Sequence, residues 1–529
     1  YAAAGGKAVT WWQDETGDES GAWLVQPFAG GETRPLLPGV PAGWNEGLAQ
    51  ANGTVAAAIS DRDGFAVYAA VAAQEPAELC RSREFVGIAG GHGLSADGGL
   101  VALSHSEHGD LLHPAIRIVT ASSGEVVGER RDAGRSLFAE GWSPIVSDRR
   151  LAVAHERSGD ETPALWDLDT DTWLDLETGL QGPVLVLDWW PDGASLLLRH
   201  ERDGRHRLYR YELGSALLTP VEHPEGQIAA ARVRPGGVVW LQHSSGASPP
   251  RLLSESGVEV LQPDGERAPA GRPYTSFRFA NEHGQSVHGF YVTPEGDGPW
   301  PVLVRPHGGP TWLDEDRFSP EVQSYVDAGL TVAMINYRGS TGYGAEWRDA
   351  LIGDIGGPEL EDLNAGLRHL VEAGIADPER AAVGGWSWGG YLTLMELGKH
   401  PELWRCGVAG IPVGDYALGY EDLSPNLQAY DRALLGGEPA DVPELMRDRS
   451  PIEFADQVQA PVLFLIGEAD SRCPLRQALA YVDRLAERGH PHEVYRFATG
   501  HGSFDVEETI RQQRLILAFL GAHLGLPLV

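Results

Sequence analysis

Four stretches of the chain repeat one arrangement of polar and apolar positions. They are "LSADGGLVALSH" (Leu94 to His105), "VSDRRLAVAH" (Val146 to His155), "WPDGASLLLRH" (Trp190 to His200) and "RPGGVVWLQH" (Arg234 to His243). In each, a turn rich in Asp, Gly or Arg leads into a short apolar run that ends at a histidine. A polar turn and a second run come next, as in "PAIRIVTASSGE" from Pro114, "PALWDLDTDT" from Pro163 and "HRLYRYELGS" from His206. Strands joined by turns at a repeat of about 40 residues predict a β-propeller, each repeat forming one four-stranded blade. About six units precede Gly265, centred on Trp12, Val55, Val101, Val153, Leu197 and Val239, the first two being the weakest. A solenoid is the rival architecture; the antiparallel turn spacing and the lack of G-G-x-G-x-D repeats argue against it.

The pattern changes after "QPDGERAPAGRP" (Gln262 to Pro273), a Pro/Gly-rich joint. "FRFAN" and "SVHGFYVTP" read as an antiparallel pair. Short apolar runs then alternate with helical stretches: "PVLVRP" (Pro301), "TVAMINY" (Thr331), "RAAVGGW" (Arg380), "CGVAGIPV" (Cys406), "PVLFLIG" (Pro461) and "HEVYRFA" (His492). Between them, Leu360, Leu363, Leu367 and Leu370 recur at helical spacing from Glu359 to Ala373. This alternation predicts a mostly parallel sheet with helices on both faces. The expected organisation is therefore two-domain: a β-propeller over residues 1–265, a linker over 266–273, and an α/β-hydrolase domain over 274–529.

One turn in the second half carries candidate chemistry. "AVGGWSWGGYL" (Ala382 to Leu392) holds a G-x-S-x-G pattern centred on Ser387. The pattern alone is weak, but here it joins a predicted strand to a predicted helix. A nucleophile elbow needs that arrangement, with small flanking residues such as Gly385 and Gly389 to let strand and helix approach. A serine hydroxyl needs a base, and the base needs an orienting carboxylate. In the chain order Ser, acid, His, "PVLFLIGEADSRCP" places Asp470 just past a strand, where ligand-binding loops of open α/β sheets lie. Glu468 shares the loop and is the rival acid; Asp456 and Asp483 read as a turn and a helix face. "FATGHGSF" then places His501 after the last strand. Oxyanion donors are expected from the Trp388 N–H and from "HGGP" (His307 to Pro310) after the third strand.

Composition excludes several classes. The 529 residues are 42% hydrophobic, enough for sizeable cores, and no apolar run reaches membrane-spanning length. A net charge of −34 leaves nothing to neutralise nucleic-acid phosphates. "YAAAGGKAVTWW" lacks the basic run and apolar core of a signal peptide. Cys80, Cys406 and Cys473 are far apart and fit a reducing, cytoplasmic setting. His105, His108 and His113 lie close in sequence but lack H-E-x-x-H spacing, so no metal and no cofactor are expected. Nothing in the residues speaks to oligomeric state.

"HGGP", "NYRGSTGYG" (Asn336 to Gly344), "GWSWGGY", "GEADSRCP" and "GHG", behind a propeller, resemble the prolyl oligopeptidase family of serine peptidases, nearest its acylaminoacyl-peptidase and aminopeptidase branch. The resemblance implies Ser387 as nucleophile, Asp470 as acid, His501 as base and Gly309 as the backbone donor of HGGP. It implies that Arg472, two residues after the acid, shapes the substrate site. Trp388 departs from the family's usual tyrosine. The family usually has seven blades, so a seventh is sought upstream or hidden before Ala89. The implied function is hydrolysis of short peptides, with the propeller as a size filter over the site. A hydrolase of small esters or amides is the alternative, and a non-catalytic propeller scaffold the remote one. Tyr416, Tyr420 and Leu423, at helical intervals after "GIPVGD", are expected with Trp388 to wall a mostly apolar P1 pocket; otherwise the tyrosines are core residues.

Overall fold

The structure, a computed structural model, describes residues 6–72, 74–89 and 92–526. Among these, residues 8–261 form six antiparallel units. Ala8–Asp14, Ser20–Pro27 and Arg34–Pro35 make a three-stranded first unit, whose middle strand also pairs with Gly43–Ala51 of the next. Five four-stranded units complete this half. Val55, Val101, Val153, Leu197 and Val239 each lie in the second strand of one of them, and Trp12 lies in the first strand of the three-stranded unit. Apolar faces of neighbouring units pack together, as Ile116 and Ile118 do with Leu137 and Val153 of the next.

The histidines that end the four repeats have a structural role. His105, His155, His200 and His243 are all buried. The imidazoles of His200 and His243 bond the carbonyls of Gln181 and Glu225, each at 2.8 Å. Those carbonyls sit in the loops that lead into the first strands of their own units. Each ring thus satisfies a buried backbone group that the sheet cannot reach.

The second half is built on one eight-stranded sheet. Its strands are β1 (Thr275–Ala280), β2 (Ser286–Val292), β3 (Trp300–Val304), β4 (Thr331–Asn336), β5 (Ala376–Trp386), β6 (Cys406–Gly410), β7 (Val462–Gly467) and β8 (His492–Phe497). Their spatial order is β1-β2-β4-β3-β5-β6-β7-β8, and every pairing from β4 to β8 is parallel. All six residues of β4 and of β7 are buried, as strands covered on both faces require. The helix Pro358–Glu372 turns Leu360, Leu363, Leu367 and Leu370 inward on one face of the sheet. Helices Pro320–Asp327 and Val506–Leu524 cover the other. The fold is a β-propeller followed by an α/β-hydrolase. No helix among the described residues is long and apolar enough to cross a membrane.

Ion pairs cross between the two halves. Arg348 holds Glu156 at 3.1 Å, and Arg205 holds Asp316 at 2.9 Å. His113, from the stretch set aside as a metal motif, lies between Asp110 at 2.7 Å and Asp349 at 3.0 Å. Hydrogen bonds to these carboxylates push its imidazole up to about 9, so it is a cation that joins the halves.

Candidate active site

The strand β5 ends at Trp386 and a helix begins at Trp388, which leaves Ser387 as the turn. Its backbone has φ 56° and ψ −118°, a conformation that costs a non-glycine residue of order 1–3 kcal/mol. The neighbours explain how the turn persists. A Cβ on Gly385 would stand 2.6 Å from the Pro306 oxygen and 2.9 Å from the Gly389 Cα, and one on Gly389 would run into the same oxygen. Only glycine lets the strand, the helix and the HGGP loop meet here. The Ser387 N–H donates to the Gly410 carbonyl at 2.9 Å, which ties the turn to β6.

The loop after β7 and the loop after β8 converge on this serine. His501 Nε2 lies 2.9 Å from Ser387 Oγ, and His501 Nδ1 lies 2.9 and 3.0 Å from the two Asp470 oxygens. The Asp470 side chain is fully buried, and Oδ1 accepts the N–H groups of Arg472 and Cys473 at 2.8 Å each. Two backbone donors fix the carboxylate, the carboxylate fixes the imidazole, and the imidazole reaches the hydroxyl. The other acids point elsewhere: Glu468 pairs with Arg496 at 2.9 Å, and Asp456 pairs with Arg484. Cys473 stands against Ser387, but burial pushes its thiol well above the ordinary value and keeps it protonated. Cys473, Asp470 and His501 are the one cluster of metal-type donors among the described residues, and two of the three are already bonded to each other.

The HGGP loop is fastened beside the elbow. Buried His307 stacks on Tyr337 with ring centroids 4.2 Å apart and bonds Ser340 at 2.8 Å, while the Tyr337 hydroxyl donates to the His307 carbonyl at 2.7 Å. Burial lowers the His307 imidazole, which is therefore neutral. Arg338 grips buried Asp362 with two side-chain bonds of 3.0 Å. The segment "NYRGSTGYG" thus has a positioning role that its letters alone did not reveal. A Cβ on Gly308 would stand 3.7 Å from the Ser387 Cβ, so this loop faces the nucleophile. Trp388 is the first helical residue, and its N–H has no acceptor within the helix.

Ser387, Trp388, Gly309 and His501 open into a cavity of about 410 Å³. Tyr416, Tyr420 and Leu423 wall it, as does Arg472. The two tyrosines are also buried, so they contribute to the core as well as to the cavity. Arg472 reaches across to Glu19 of the propeller, with Nε and Nη2 at 2.7 and 2.6 Å from its two oxygens.

Residues 316–527 match the profile of the prolyl oligopeptidase family. The likeness to that family covers this stretch of the second half. Similar proteins include the acylamino-acid-releasing enzyme of Arabidopsis thaliana, 32% identical over 41% of this chain and 29% of that protein. The uncharacterized peptidase YuxL of Bacillus subtilis is 29% identical over 47% of this chain and 38% of its own length. The matched stretches thus span about a third of these relatives. Over the whole chain the fold is like that of a puromycin hydrolase (TM-score 0.81, 23% identity, 98% of this chain and 86% of that one). It is also like that of a Mycobacterium tuberculosis puromycin-hydrolyzing peptidase (TM-score 0.79, 22% identity, with the same coverage). Both share the two-domain architecture.

In this site one residue breaks the apolar expectation. Asp431, on the helix Pro425–Leu435, lines the same cavity and is 9% exposed. The local pattern hides it, because "NLQAYDRALL" looks like an amphipathic helix with Asp431 toward solvent. Its spacing from Leu427 and Leu434 is the signal that could have found it, since it puts all three on one face.

Proposed function

We propose that the chain is a cytoplasmic serine peptidase of acylaminoacyl-peptidase or aminopeptidase type that hydrolyses short peptides through Ser387, His501 and Asp470. In this reading residues 274–529 carry the chemistry, and the propeller of residues 1–265 limits the size of what enters. The observation that carries it is the unbroken chain of hydrogen bonds from Asp470 through His501 to Ser387 inside a walled cavity. Ser387 Oγ attacks the scissile carbonyl carbon while His501 Nε2 takes its proton. The N–H groups of Gly309 and Trp388 hold the oxyanion that forms. The tetrahedral species collapses, the C–N bond breaks, and His501 returns the proton to the leaving amine. Water then attacks the acyl-enzyme by the same route, with His501 again taking and returning a proton. Arg472 borders the substrate, and its bond to Glu19 ties the acid loop to the propeller. The relatives named for release of acylated amino acids support the substrate class, and the three unpaired cysteines support a reducing compartment.

A cavity of about 410 Å³ also suits a small amide or ester, the second reading. Chromogenic substrates with a free-amine aminoacyl, an N-acetyl-aminoacyl, an internal-peptide or a simple-ester group separate the two. Peptidase action predicts turnover of the first two types, and an ester-only profile refutes it. Ser387→Ala is expected to abolish turnover and fluorophosphonate labelling with the fold intact; persistent labelling would assign another serine.

A further inference from the structure

Asp431 is a carboxylate in a wall rich in aromatic and aliphatic side chains, whose guanidinium, that of Arg472, is already paired with Glu19. It lines the cavity that holds Ser387 and His501, between Leu427 of its own helix and Tyr416 and Tyr420 opposite. Its helix turns Leu434 and Leu435 into the core, and Asp431 is buried with them. Among the described residues, no hydrogen bond or ion pair reaches its side chain. Asp415, the other carboxylate of this cavity, is occupied as a helix cap, bonding the Leu418 N–H at 3.0 Å. An unpaired buried carboxylate destabilises a fold, so it calls for a partner that the chain itself does not supply. Burial alone pushes this carboxyl up to about 7, with no neighbouring cation to hold it down.

A further observation points to the nature of that partner. A second cleft of about 770 Å³ lies between the propeller and the Asp470 loop and shares Leu423 with the first. Seven carboxylates line it, Asp18, Asp61, Asp63 and Glu421 among them, against three arginines. An acidic cleft beside an acidic pocket raises the local concentration of cations.

We infer that Asp431 is a specificity residue of the P1 pocket and selects a substrate whose P1 side chain ends in a positively charged nitrogen, as lysine and arginine do. The inference rests on the peptidase reading. Aromatic walls suit the aliphatic stem, and their ring faces suit the cation that Asp431 receives. A free α-amine has the same chemistry, and the assay distinguishes the two sources.

The test compares three p-nitroanilides at pH 8, where Asp431 is mostly ionised: N-acetyl-lysyl, N-acetyl-norleucyl and free-amine norleucyl. The wild-type chain is expected to prefer acetyl-lysyl over acetyl-norleucyl by about tenfold or more in kcat/KM, the scale of a charge-assisted bond. Asp431→Asn is expected to bring that ratio near one, and Asp431→Glu to restore part of it. The wild-type ratio reads the pocket even if a variant fails to fold. Equal turnover of the two acetylated substrates by the wild-type chain overturns the inference and leaves the peptidase reading standing. A preference for free-amine norleucyl that Asp431→Asn removes assigns the carboxylate to the α-amine and also overturns it. No turnover of any substrate, with Ser387 unlabelled by fluorophosphonate, fails the peptidase reading itself.

Discussion

Asp470→Asn removes one charge and almost no volume, and the hydrogen bonds around the side chain dictate the outcome. Oδ1 accepts two backbone N–H groups at 2.8 Å, from Arg472 and Cys473. An asparagine must keep its carbonyl oxygen there, because an amide NH₂ cannot accept those donors. The NH₂ then takes the place of Oδ2, 2.9 Å from His501 Nδ1, and donates to it. Nδ1 becomes the acceptor, the ring proton moves to Nε2, and Nε2 can no longer take the proton from Ser387 Oγ at 2.9 Å. The same tautomer error in another serine protease lowers kcat by about 10⁴, roughly 5 kcal/mol in the barrier. We expect a loss of that order in kcat on a peptide p-nitroanilide, with a similar fall in the rate of fluorophosphonate labelling. The melting temperature should barely change, because both backbone bonds survive. The control is Glu468→Gln, whose carboxylate faces Arg496 and should matter less than about twofold, as an exposed pair does. Activity of Asp470→Asn within tenfold of wild type, or a larger loss in Glu468→Gln, refutes this orientation of the site.

Packing and charge give two other expected outcomes. Gly389→Ala forces a Cβ against the Pro306 oxygen, so the elbow must shift; kcat/KM should fall by about 10² or more, the effect of a misplacement near 1 Å, and retention of activity would show that the turn has room to relax. His113 is raised from 6.5 to about 9 in the folded chain, so its stabilisation is complete below pH 6.5 and disappears as pH rises through about 9. The melting temperature of wild type should therefore exceed that of His113→Gln most at pH 6 and converge with it near pH 10, and a constant difference would exclude the charged bridge.

Repetition and periodicity made much of this molecule readable. Turn and strand recur because each blade has an apolar run to bury, and in two of them the terminal histidine, His200 or His243, also satisfies a loop carbonyl. The leucines of Pro358–Glu372 were legible for the same reason, as local spacing decides which side faces the sheet. Ser387, Asp470 and His501 sit on loops whose places derive from strand order. Other features depend on contacts that no local pattern encodes. His113 meets Asp349 across 236 positions, and nothing in "HSEHGDLLH" announces a partner so far away. Asp431 carries a polar letter in an amphipathic helix, and although its spacing from Leu427 and Leu434 puts it on their face, the spacing does not show that a cavity lies there. Trp388, Tyr416 and Tyr420, expected to wall an apolar P1 pocket, line the cavity together with the carboxylate of Asp431, which that expectation did not include.

The grip of Glu19 on Arg472 joins residues 453 positions apart, and a Cβ on Gly500, beside His501, would collide with the Gly17 carbonyl oxygen. The first hairpin of the propeller therefore braces both loops that deliver the acid and the base. Contacts of such sequence separation are the slowest to form, because a long stretch of chain must be ordered before they are made. The Asp470 and His501 loops gain this support only when the first propeller hairpin docks on them. In the serine-peptidase reading, hydrolysis therefore depends on the propeller being folded against the loops of the second half.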